Sequence, residues 1–139
     1  MQVMATLARR DIQAVSLVSA GHFMSHFYQL TLPPLFVYIK LDLDISFTAL
    51  GFVMAVYFTA TAVVQVPIGM MVDRMSARPV LILGMALQSA AIAGAGLASN
   101  YPVLLGLYFL AGVGNAVFHP ADFAILSAAV DKKFHGRAF

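Results

Sequence analysis

The chain has 139 residues, of which 61% are hydrophobic and 10% charged, with a formal net charge of +2. A soluble domain carries about 25% charged residues, so a mean hydropathy of +0.88 excludes an ordinary wetted surface. The small net charge gives no reason for a nucleic-acid partner despite a pI near 9.2, and the absence of Cys excludes disulfides and thiolate metal sites.

A bilayer-spanning helix needs about 20 mostly apolar residues, and four stretches qualify: 12–39, 47–72, 79–98 and 102–130. Arg9-Arg10 before the first suggests a signal peptide, but the apolar run is too long for an h-region of about 7–15 residues and no small-residue cleavage site ends it. The first helix is expected to stay. Lys40, Asp42 and Asp44 break the first run from the second. Asp73, Arg74 and Arg78 break the second from the third, ahead of Pro79, a favourable first helical residue. Ser99-Asn100-Tyr101-Pro102 makes the last turn. Such short connections predict antiparallel neighbours, an all-α polytopic fold with one transmembrane domain over 1–139.

Lys and Arg near membrane ends report orientation. Arg9, Arg10, Arg74, Arg78, Lys132, Lys133 and Arg137 fall on one side of four spans, and only Lys40 on the other. Both termini are therefore expected in the cytoplasm, in a multi-pass protein of the inner or plasma membrane. Gly84, Gly94, Gly96, Gly106, Gly112 and Gly114 give the third and fourth spans small faces for close packing.

Ionisable groups inside a span are expensive and mark pathways. His22, Ser25, His26 and Gln29 recur at spacings of three and four, so they share one face of the first span. Asn115, His119 and Asp122 share a face of the fourth, and Gln65 precedes Pro67 in the second. At about 1.5 Å per residue, His22 and His119 stand at nearly the same height, so the two faces can meet across one cavity. A histidine changes charge near neutrality. His22, His26, Gln29, Asn115, His119 and Asp122 are thus candidates for binding a small polar or anionic solute, relaying H+, or both. Plain helix-to-helix hydrogen bonding remains the competing role. Asp122 is the strongest single candidate, because an unpaired carboxylate there costs most.

The segment from Gly69 through Asp73 and Arg74 to Arg78 resembles the signature loop between helices two and three of the major facilitator superfamily. Ser76 stands where that loop usually has Gly, and Ala77 where it has the first of two basic residues. Gly112-Val113-Gly114 resembles part of a second superfamily motif, with Tyr108 in place of the Arg associated with proton coupling in drug–proton antiporters. Phe118-His119-Pro120, Pro33-Pro34-Leu35 and Gln65-x-Pro67 look like the fosmidomycin-resistance-type branch, in which an acid commonly stands near the place of His26.

The resemblance implies the first four helices of a six-helix half, with helices one and four lining a central cavity. It also implies proton-coupled secondary transport by alternating access, with Gly69, Asp73, Arg74 and Arg78 as a cytoplasmic gate. Such a piece is expected to need the remaining helices, or a partner chain, to transport. The alternatives are a non-transporting scaffold or assembly subunit, a small four-helix dimeric exporter, and a redox protein holding haem between His26 and His119. The second relies on a Glu in the first helix, and this chain has none. No nucleophile–base pattern, phosphate cradle, cofactor motif or metal set suggests an enzyme.

Overall fold

The computed structural model describes residues 9–130, and the basic residues Lys132, Lys133 and Arg137 lie outside them. Among the described residues every regular element is a helix: α1 (Arg9–Gln29), a 3-10 turn (Pro33–Leu35), α2 (Phe36–Leu43), α3 (Phe47–Arg74), α4 (Ala77–Ala95), α5 (Tyr101–Asn115) and α6 (Phe118–Ala129).

Local chemistry sets the boundaries. Ser46 caps α3 by accepting from the Ala49 amide at 3.1 Å, and Asn100 caps α5 by accepting from Val103 at 3.0 Å. Asp44 ends α2 in the left-handed region, with φ 49°, a conformation that Asp tolerates better than most residues.

Two expected spans are not continuous. The first stops at Gln29, and the chain passes through Pro33–Leu35 before α2 resumes. Pro33 and Pro34 offer no amide to the ladder and crowd the carbonyls one turn back. The backbone nevertheless stays right-handed at Leu32, Leu35 and Phe36, so the path bends and α2 carries Lys40 and Asp42. The fourth span breaks at Ala116 and Val117. There Pro120 cannot donate to the Ala116 carbonyl, and its ring crowds that oxygen. Pro67 sits inside α3 without ending it.

Three segments are long and apolar enough to cross a membrane: Phe47–Arg74, Ala77–Ala95 and Tyr101–Ala129. The polar face of α1 keeps that helix below the same standard. Large apolar side chains such as Leu17, Phe58, Val63 and Leu83 point outward, as lipid-facing surfaces do.

Packing arranges the helices antiparallel. At one end Leu32, Leu50, Val53, Tyr57, Ala91, Leu104 and Tyr108 form a buried cluster. At the other, Val72 and Val80 pack with Phe118 and Ala121, and Val18 with Leu126 and Val130. The start of α1, the α3–α4 turn and the end of α6 therefore share one end. The glycines of α5 bring it close to both α4 and α3. A Cβ on Gly114 would lie 2.6 Å from the Gln88 amide nitrogen, and one on Gly112 would strike the Tyr57 carbonyl oxygen.

Candidate functional site

The polar faces of α1 and α6 meet. His22 Nδ1 lies 2.8 Å from Asp122 Oδ2, and His22 Nε2 lies 3.0 Å from His26 Nε2. The His119 ring stands edge-on to His22 with centroids 5.3 Å apart. With Asp122 ionised, His22 donates to it from Nδ1 and accepts at Nε2 from His26. One imidazole thus bridges an acid and a second imidazole. The Asp122 side chain is 11% exposed against 34% for His22, and its Oδ1 is buried without a hydrogen-bond partner among the described residues. A cavity of about 460 Å³ opens beside this pair, with Ser19, His119, Phe23 and Phe123 in its walls.

A second, drier network lies next to the first. The Ser25 hydroxyl donates to Asn115 Oδ1 at 2.7 Å. Gln88 Nε2 is within reach of three acceptors: the Tyr57 hydroxyl at 3.0 Å, and the Ser25 carbonyl and Asn115 Oδ1, each at 3.3 Å. The Thr61 hydroxyl has two acceptors within reach, the Tyr57 carbonyl at 3.1 Å and the Gly112 carbonyl at 3.0 Å, and lies 3.5 Å from Asn115 Nδ2.

Of the residues picked out by sequence, His22, His26, His119 and Asp122 come together, and Asn115 joins the adjoining network. Gln29 is half-buried, and no side-chain hydrogen bond ties it to either group among the described residues. Gln65 lines a separate groove with Gly69, Asp73, His119 and Ser127. Tyr108 is buried beside Tyr57, with ring centroids 6.3 Å apart. Tyr57, Thr61 and Gln88 were not picked out by sequence. Gln88 had a visible signal, an amide in the apolar run of α4.

The signature loop is placed at the exposed α3–α4 turn. Asp73, Arg74 and Arg78 are exposed, and no ion pair joins them to one another among the described residues. No atom lies within 4 Å of where a Cβ on Gly69 would stand. None of the described neighbours packs closely against Gly69. Among those residues, no group of His, Asp or Glu is arranged to hold a metal ion.

Long apolar helices enclosing a buried polar seam define a multi-pass protein of the cell membrane. The chain belongs to the Major Facilitator Superfamily, whose family model matches residues 18–139. Two uncharacterised MFS-type transporters from strains of Mycobacterium tuberculosis are each 37% identical over 111 residues, covering 76% of this chain and 25% of theirs. The uncharacterised MFS-type transporter YfnC of Bacillus subtilis is 23% identical over 117 residues, covering 84% of this chain and 29% of its own length. The chain thus spans 25–29% of the length of these curated relatives. Their names assign no branch within the superfamily. No solved structure gives a significant match.

Proposed function

We propose that this chain supplies the proton-responsive wall of a secondary transporter for a small polar or anionic solute, working by alternating access. The observation that carries this reading is the unbroken contact from Asp122 through His22 to His26 beside an open cavity. A proton entering at either end of that chain changes the charge facing the cavity, which alters solute affinity as access alternates.

Asp122, His22, His26 and His119 are the proton path and the charged face toward solute. Asn115 supports them from α5, and Gln29 stands further along the same α1 stripe. Gly69, Asp73, Arg74 and Arg78 are the gate at the cytoplasmic end, where their partners come from the remainder of the transporter. Four spans with both termini cytoplasmic complete this topology, the bent α1–α2 path counting as the first. The Phe118-His119-Pro120 pattern supports the fosmidomycin-resistance-type branch.

One wall does not enclose a cavity, so these helices alone are expected not to transport. The test is flux in membrane vesicles under an imposed pH gradient, comparing this chain with the same chain extended by its downstream reading frame. Gradient-driven flux in the extended protein alone, strongly lowered by Asp122→Asn, supports the proposal. Equal flux in the short chain, or flux indifferent to Asp122, overturns it.

A further inference from the structure

Gln88 is 0% exposed. The other buried positions of α4 are Val80, Gly84 and Ala91, so a Leu at 88 would suit this core by composition. A buried carboxamide is costly unless it is hydrogen-bonded, and here Oε1 has no partner among the described residues. Packing alone does not call for such a residue. The carboxamide presents its donor side to three helices at once: α1 through the Ser25 carbonyl, α3 through Tyr57 and α5 through Asn115.

We propose that Gln88 is the positioning residue of the α1–α6 pathway, fixing the height of His22 against Asp122. Ser25 follows His22 by three residues and precedes His26 by one, so it stands between them on the same face. Asn115 ends α5 just before the break that leads into α6 and Asp122. Holding Ser25 against Asn115 therefore holds one polar stripe in register with the other. The close approach at Gly114, where a Cβ would lie 2.6 Å from the Gln88 amide nitrogen, brings the two carboxamides within reach. The apolar contact of α1 with its neighbours is thin. Val18 is its one buried apolar side chain larger than alanine among the described residues, and Leu17, Phe23 and Phe27 face outward. Val18 stays seated against Leu126 and Val130, but without the polar clamp little holds the His22–His26 turn of α1 in place. A local shift of about 1.5 Å, the rise of one residue, is enough to part His22 from Asp122.

The assignment rests on the proposed proton path only for its consequence, because the test reads distance and not flux. The sequence contains no cysteine, so paired cysteines can be placed in it without background from this segment. A short bifunctional thiol reagent is applied in membranes to two pairs, His22→Cys with Asp122→Cys and Val18→Cys with Leu126→Cys. Each pair is compared with and without Gln88→Leu.

Gln88→Leu is expected to lower the first cross-link by about fivefold or more, the worth of a buried hydrogen bond. The Val18–Leu126 cross-link is expected to hold. Ser25→Ala removes one hydroxyl from the same clamp with little change in volume, and the same direction is expected of it. It decides the matter should Gln88→Leu fail to fold. Both cross-links unchanged, or both lost together, overturns the proposal, the second outcome reducing Gln88 to a packing residue for α1 as a whole.

Discussion

Asp122 Oδ2 and His22 Nδ1 lie 2.8 Å apart although a hundred positions separate them in the chain. The contact joins α1 to α6 midway along both helices. His22 extends it to His26, while Asp122 keeps one oxygen buried and unpartnered among the described residues. A carboxylate is tolerated in such a place only with a partner that answers its charge. Imidazole does so only when protonated or donating. Charge at this contact is therefore shared between two helices.

Asp122→Asn keeps the shape of the acid and a hydrogen bond to His22 but removes the titrating group. Gradient-driven flux in the complete transporter is expected to fall by about tenfold to a hundredfold, the worth of a hydrogen bond to a charged group. Solute-for-solute exchange, which needs no net proton movement, is expected to persist. Counterflow and gradient-driven uptake measured on the same vesicles separate the two. Equal loss of both would assign Asp122 to solute binding or folding rather than to the proton.

Removing either partner leaves the other exposed to the same desolvated surroundings. His22→Leu is expected to lower stability by about 1–3 kcal/mol, and the double change His22→Leu with Asp122→Leu to cost less than the two single changes summed. Thermal unfolding in detergent across the four proteins measures the coupling. Strict additivity would mean that the 2.8 Å contact carries no net energy.

The meeting of the α1 and α6 stripes was legible because polar residues at spacings of three and four have few explanations in an apolar helix. Gln88 was passed over for the opposite reason. Its helix offers no polar stripe, and its partners Ser25, Tyr57 and Asn115 come from three other helices, a convergence that only tertiary packing creates. Gln29 continues the α1 stripe toward the Pro33-Pro34 bend, beyond the His22–Asp122 contact. The two breaks were hidden for a related reason. Pro67 stays inside a continuous α3, whereas Pro120 lies just beyond a break. A proline marks where a helix can yield, and its neighbours decide whether it does. Near Pro120, the glycine-rich end of α5 is pressed against α3 and α4.

That pressure makes Gly112 and Gly114 sensitive where Gly106 is not. A Cβ at Gly112 would strike the Tyr57 carbonyl, and one at Gly114 would lie 2.7 Å from the Gly84 carbonyl, while at Gly106 no atom lies within 4 Å. Gly112→Ala and Gly114→Ala are each expected to cost about 1–3 kcal/mol through backbone displacement. Gly106→Ala is expected to be neutral or slightly stabilising, since Ala outranks Gly in a helix by about 1 kcal/mol. Melting temperatures of the three variants test the ordering.

Asp73 poses a different question, because function and stability should separate there. Its side chain is exposed and makes no ion pair among the described residues. Asp73→Asn is therefore expected to change the stability of this segment by no more than about 0.5 kcal/mol. If the loop is a gate, its charge matters when it meets the rest of the transporter, and exposed charge pairs contribute up to about 1 kcal/mol. Flux through the complete protein should then fall by up to about fivefold with solute binding unchanged, a loss that grows weaker as salt screens the contact. Measuring binding and flux at low and high ionic strength on the same preparation tests this directly. A fall in binding equal to the fall in flux would place Asp73 with the solute instead of the gate.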